Sequence, residues 1–208
     1  AEESCTCESA RRLGEEYLYQ TATNANVENM HKYTFDRVVC HCPHCFNTIR
    51  NEFPQFGGDF EVIHHSQLLE ELLSDGRLNL PAGARSRVAF HDSCYLGRYN
   101  GEYDAPRASL AAAGVDIVEL PRAKENGLCC GGGGGQMWFE GFAQKGVNVI
   151  RLEEVVESGA DRVAVACPYC LTMLDSARGA VGAAAEGVKV LDVAEVLAEA
   201  LAAGGGPA

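Results

Sequence analysis

The sequence predicts an α/β protein built from two related modules, each a small parallel sheet flanked by helices. Three observations carry that expectation. Short apolar or β-branched runs alternate with helical stretches, the order of a parallel, helix-covered sheet. The sequence also matches itself when shifted by 125 positions. Finally, cysteines follow the strand-like runs, where open α/β sheets hold ligands.

The strands come first. Arg87 to His91 (RVAFH), Val115 to Leu120 (VDIVEL) and Arg162 to Ala166 (RVAVA) are compact apolar runs bounded by turn residues, as buried parallel strands are. The stretch FEVI at 60–63 reads the same way in the first half. Between the later strands the sequence predicts helices over Ala105 to Ala113, Met137 to Ser158 and Leu171 to Ala177. Trp138 and Phe139 then begin a helix and pack in the core, or shape an electron path. Glu153, Glu154 and Glu157 read as a solvated helix face.

The repeat sets the domain organisation. The shift lays Cys42-Pro43-His44-Cys45 on Cys167-Pro168-Tyr169-Cys170, Asp36-Arg37-Val38 on Asp161-Arg162-Val163, and Cys5 on Cys130. With a slightly larger shift, VIHHSQLLEELL at 62–73 matches VLDVAEVLAEAL at 190–201. Residues 1–80 are expected to be the C-terminal part of a first module, truncated at its N-terminus within a longer parent. Residues 81–208 form a complete second one, and SDGRLNLPAGARS at 74–86 reads as the linker.

With 47% apolar residues the chain builds its cores without disulfide staples. Its net charge of −12 divides into −7 over residues 1–80 and −5 over 81–208. No basic half exists, so nucleic acid and anionic lipid are poor partners. The apolar run from Val190 to Leu201 is broken by Asp192, Glu195 and Glu199, so no direct membrane insertion is expected. Nothing at the start of the sequence reads as a secretion signal, which places the chain in the cytoplasm.

The second module's cysteines are spaced as Cys94, then Cys129-Cys130-Gly131, then Cys167-x-x-Cys170. A Cys-x-x-Cys pair opening a helix directs two thiolates at one metal, and the helix N-terminus favours the anionic form. The adjacent pair suits a cluster of several irons, because neighbouring side chains diverge. Gly131, Gly132 and the glycines after them let the backbone approach a bulky group and aim N–H donors at sulfide and thiolate. Buried thiols, disulfides and zinc remain alternatives, although five cysteines exceed the four of a tetrahedral zinc site.

This pattern resembles the CCG, or cysteine-rich, domain of heterodisulfide-reductase-related iron-sulfur oxidoreductases. The phrases HDSCYLGRYNGEYDAPR, LCCGGGGGQMW, CPHCFNTIRNEFPQFGG and CPYCLTMLD look most like the family's electron-transfer-flavoprotein:quinone branch. The resemblance implies a non-cubane 4Fe-4S cluster on Cys94, Cys129, Cys130, Cys167 and Cys170. It further implies an electron-carrying module of a larger oxidoreductase, with an electron-transfer flavoprotein or another redox protein as partner. Membrane and ferredoxin-type domains would lie upstream, and the module would sit at the cytoplasmic face of the membrane. Alternatives are a thiol-disulfide reductase and a non-catalytic, zinc-stabilised interaction module.

The first module departs from the pattern, since Ser4-Cys5-Thr6 stands where the second has Cys129-Cys130-Gly131. Cys5, Cys42 and Cys45 remain as a second candidate site for a cluster or zinc, and Cys7 and Cys40 have no counterparts. His44 and His91 lie beside the cysteine motifs as supporting groups, or else bond to backbone carbonyls. Arg98, in the loop after Cys94, is expected to hold an anionic substrate or partner carboxylate, or to be solvated. For His64 and His65, proton donation competes with a structural cap-and-core role.

Overall fold

The computed structural model describes residues 4–81, 86–139 and 145–203. In the first half, helices α1 (Glu8–Arg12) and α2 (Glu16–Met30) precede strand β1 (Val38–Cys40), helix α3 (Pro43–Asn51), strand β2 (Val62–His64) and helix α4 (His65–Ser74). The second half runs β3 (Ser86–His91), α5 (Gly97–Asn100), α6 (Asp104–Ala112), β4 (Val115–Glu119), α7 (Val147–Glu157), β5 (Arg162–Val165), α8 (Pro168–Val181), β6 (Lys189–Asp192) and α9 (Val193–Ala203). All strand pairs are parallel. β1 pairs with β2, and the other four strands form one sheet in the order β4-β3-β5-β6.

The repeat holds at the level of register. Val38, Val39 and Cys40 face Val62, Ile63 and His64, while Val163, Ala164 and Val165 face Val190, Leu191 and Asp192. Both β1 and β5 then pass an extended cysteine, Cys42 or Cys167, into a helix opened by proline, Pro43 in α3 and Pro168 in α8. Proline suits that first helical position because its missing N–H would have no intrahelical partner and its φ is preset. The proline also explains why α8 begins at Pro168, three residues before the expected helix.

Two apolar cores hold the elements. One joins the halves: Val27, Phe46, Phe53 and Val62 pack with Val88, Phe90, Leu110, Val193 and Leu197. The other lies within the second half, where Leu152, Val155, Val163, Val165 and Leu174 surround the buried thiols of Cys130, Cys167 and Cys170. Each fully buried side chain of the Leu or Phe kind contributes about 1.5–3 kcal/mol. Leu78 and Leu80, in the stretch read as linker, pack against the shared core, and residues 82–85 of that stretch lie outside the described residues.

Three expectations are corrected. The helix expected from Met137 begins only at Val147, because Gly134 and Gly135 adopt positive φ and lead into a single 3-10 turn, Gln136–Trp138, followed by extended Phe139. Residues 140–144 of that expected helix lie outside the described residues. Trp138 and Phe139 consequently are not core residues but stand 59% and 57% exposed. Glu154 is not solvated either: it is buried, and accepts from Arg151 and Arg122.

Candidate functional site

The cysteines gather at the carboxyl ends of the parallel strands. Cys94 follows β3, Cys129 and Cys130 end the segment after β4, Cys167 closes β5, and Cys42 follows β1. The thiols of Cys130 and Cys170 lie within 4.8 Å of each other and of a ring nitrogen of His91. Those of Cys42 and Cys167 lie equally close to each other and to His44. Cys129 is close enough to both Cys94 and Cys130 to shift their pKa values. Thus all five cysteines of the second-half motif meet, and the first half adds Cys42.

Their electrostatics favour the thiolate at two of the five, Cys129 and Cys167, while Cys94 is raised by its neighbour Cys129 and by burial. Hydrogen bonds from the Cys130 and Cys94 thiols and the Gly131 N–H hold Cys129 down to about 2. For Cys167, burial opposes ionisation, but bonds from Cys170 and Cys42 and the N–H groups of Cys170 and Tyr169 win, and its pKa falls well below that of a free thiol. These N–H groups belong to the first turn of α8, where the macrodipole also favours an anion. Cys170 and Cys130 are pushed the other way, Cys170 by its neighbours Cys130 and Cys167 and Cys130 by ionised Cys129, with burial adding in both.

The glycines do more than approach a ligand. Gly131 and Gly135 have φ of +84° and +78°, which only glycine adopts without strain. A Cβ on Gly132 would meet Met173 Cγ at 2.8 Å, and one on Gly133 would meet His44 Nε2 at 3.1 Å. So the glycine run lies flat between α8 and the first half, beside Tyr95 and Tyr169, whose rings stand 4.3 and 4.6 Å from that of His44.

Among the described residues, neither supporting histidine bonds a backbone carbonyl. His44 Nδ1 stands 3.6 Å from Cys42 Sγ and 3.9 Å from Cys167 Sγ. His91 Nδ1 accepts from Arg151 Nε at 3.0 Å. Burial, reinforced by Arg151, pushes His91 down to about 3, so its ring is neutral. The Nε2 atoms of both rings are buried without a hydrogen-bond partner among the described residues.

Arg98 is exposed, as its surface reading has it. Its guanidinium donates to the carbonyls of Gly127 at 2.6 Å and Glu125 at 3.3 Å, so it fastens the segment leading to Cys129. Asp92 helps: its carboxylate takes two bonds from Arg107 and one from Lys124 N. Burial pushes that carboxyl up, and these donors hold it below the usual range nonetheless. His64 is a cap, its Nδ1 accepting from Ser66 N and its Nε2 donating to His41 O.

The second candidate set shares one cavity of about 800 Å³, lined by Cys5, Cys42, Cys45, Thr6, Cys40 and His41 among others. Thr6 Oγ1 lies 3.6 Å from Cys45 Sγ, and Cys5 Sγ accepts from Cys7 N at 3.3 Å. Cys45 is raised above a free thiol by its bond to Cys42 and by burial.

Sequence reasoning missed Arg151, which is fully buried and holds His91, because an arginine on a helix normally reads as solvated. It also missed Ser93, 3.6 Å from Cys170 Sγ, and the bond by which the Tyr95 hydroxyl donates to buried Glu8 at 2.9 Å. The arginine's position three residues before Glu154 was the available signal.

A parallel α/β scaffold presenting buried thiols beside glycine N–H groups is an arrangement that could hold a metal. A family profile described as cysteine-rich domain matches residues 1–50 and 88–175, and the chain belongs to that family. It is 42% identical, over 96% of its length, to the EtfAB:quinone oxidoreductase of Syntrophomonas wolfei, of which it covers 29%. It is 40% identical over 96% of its length to the probable membrane-anchored ferredoxin of Chromohalobacter salexigens, covering 30%. To one component polypeptide of the dihydromethanophenazine:CoB–CoM heterodisulfide reductase of Methanosarcina barkeri it is 32% identical over 96%, covering 50%. The chain therefore spans less than a third of the first two relatives and half of the third. No described helix is long and apolar enough to cross a membrane.

Proposed function

We propose that this chain is an electron-transfer module in which Cys94, Cys129, Cys130, Cys167 and Cys170 hold a non-cubane 4Fe-4S cluster. The observation that carries the reading is the convergence of these five thiols, two of them with strongly lowered pKa, beneath glycine N–H groups. The residues fit such a group: the ionised sulfurs are ligands in waiting, and the unpartnered Nε2 atoms of His44 and His91 are polar contacts within reach of it. When bound, the cluster supplies one-electron chemistry.

The chain's own residues do the rest. Arg151 fixes the neutral His91 ring beside Cys130 and Cys170, and Arg98 with Asp92 fixes the segment that carries Cys129. Leu152, Val163 and Leu174 exclude water from the thiols. Low dielectric and N–H donors to sulfur are the means by which a protein sets a cluster's potential. Cys5, Cys42 and Cys45 form the second candidate site, for a second cluster or zinc, and residues 1–80 and 81–208 are the two modules.

The similarities support a place in a larger, membrane-associated EtfAB:quinone-type oxidoreductase, and we infer that the module sits at the cytoplasmic face with an electron-transfer flavoprotein as partner. The test is anaerobic mixing of the iron-loaded protein with reduced electron-transfer flavoprotein, followed by electron paramagnetic resonance. A cluster signal that appears on mixing and disappears with a quinone analogue is expected. A signal that responds only to a disulfide substrate would contradict this partner and favour thiol-disulfide reduction.

A further inference from the structure

Away from the converged thiols, three side chains meet where the two halves touch. His41 directly follows β1, His65 is the first residue of α4, and Asp192 ends β6 in the second half. His65 Nε2 lies 3.0 Å from Asp192 Oδ1, and His41 Nε2 lies 3.5 Å from Asp192 Oδ2. One donor atom from each residue lies within 4.8 Å of the other two. Each imidazole thus addresses a different oxygen of one carboxylate.

The repeat explains why the carboxylate has an oxygen to spare. Asp192 is the counterpart of His64, and each caps the helix that follows it. Asp192 does so with Oδ1, which accepts from Ala194 N at 2.9 Å, while Glu195 reaches back to Asp192 N. Its side chain is only 5% exposed, and Oδ2 has no hydrogen-bond partner among the described residues. An unpaired carboxylate oxygen at that depth is costly unless something positive meets it. His65 Nδ1 is likewise buried and unpartnered, whereas His41 is 58% exposed and leaves a way in from solvent.

We propose that His41, His65 and Asp192 bind a zinc ion that joins the two halves of the chain and is distinct from the cysteine sites. Two imidazoles and one carboxylate are a donor set for zinc and its transition-metal neighbours, and not for magnesium or calcium, which take oxygen ligands. With bonds of about 2.0–2.1 Å, ligand atoms around a tetrahedral zinc stand about 3.3 Å apart, close to the two separations already present. The exposed side at His41 leaves the fourth position to water. Because His41 precedes Cys42, the ion would also fix the approach of Cys42 to Cys167.

The test uses the anaerobically isolated protein, with iron measured before and after equilibration with Zn²⁺ and removal of excess metal. The wild type is expected to retain a single zinc more than His41→Ala or Asp192→Asn, with the iron of Asp192→Asn equal to that of the wild type. His41 is exposed, and asparagine still caps a helix, so neither variant should compromise folding. The zinc X-ray absorption difference between wild type and Asp192→Asn should show nitrogen and oxygen neighbours and no sulfur, and Zn²⁺ should raise the unfolding temperature of the wild type more than that of either variant. Equal zinc in wild type and both variants, no retained zinc, or sulfur in the wild-type-minus-variant difference would overturn the proposal. Iron content separately reports on the cluster, so failure there is distinguishable.

Discussion

The thiol of Cys42, from the first half of the chain, lies within 4.8 Å of the thiol of Cys167, from the second, and helps to lower its pKa. The two residues are counterparts in the repeat, each extended at the start of a proline-opened helix. Their contact makes the two candidate sites neighbours. Replacing Cys42 with alanine should change the paramagnetic spectrum and midpoint potential of the iron centre. Cys7→Gly, a substitution compatible with the φ of +53° at that position, should leave both unchanged. Anaerobic redox titration of both variants checks this.

Arg151 is fully buried between His91 and Glu154, and donates to both. Removing its carboxylate partner leaves a buried charge uncompensated. Glu154→Ala should therefore destabilise the protein by about 3–5 kcal/mol in denaturant unfolding. A joint change of Arg151 to Met and Glu154 to Gln should recover part of that loss, because no unpaired buried charge is then left.

His64 caps α4 through Ser66 N and is closed by Gln67 in return. His64→Ala should cost about 0.5–2 kcal/mol, the range of a lost N-cap. The repeat places a carboxylate at the matching position, Asp192, so His64→Asp should retain more stability than the alanine variant. Thermal unfolding of the pair reads the difference.

Gly131 combines a φ of +84° with an N–H that donates to Cys129 Sγ at 3.2 Å. An alanine there should cost about 1–2 kcal/mol for the left-handed backbone. Iron retention should fall further than in Gly134→Ala, which has similar strain and no atom within 4 Å of its added Cβ. Iron analysis after gel filtration compares them.

Much of the site was legible because it is written in short covalent spacings. Cys167-Pro168-Tyr169-Cys170 fixes a helix start and two thiols within four residues, and the repeat recovers its partner at Cys42 to Cys45. Strand positions were legible for the same local reason, apolar runs bounded by turns. What could not be read depends on packing between distant segments. The contact of Cys42 with Cys167 needs the shared core of Phe46, Val88 and Leu197, and no spacing encodes it. Glu154 and Arg151 misled because helical charge periodicity looks alike whether the face meets water or a buried imidazole. The surface position of Trp138 and Phe139 follows from two glycine φ values, which composition alone leaves open.

The central claim is that the five second-half cysteines hold iron and sulfide together. The direct measurement is iron and acid-labile sulfide in anaerobically isolated wild type, Cys130→Ser and Cys167→Ser, with far-ultraviolet circular dichroism to verify folding. The account predicts equal iron and sulfide in the wild type and a marked loss of both in each folded variant. Folded wild-type protein that takes up no iron or sulfide on anaerobic reconstitution would contradict it, as would undiminished content in both variants.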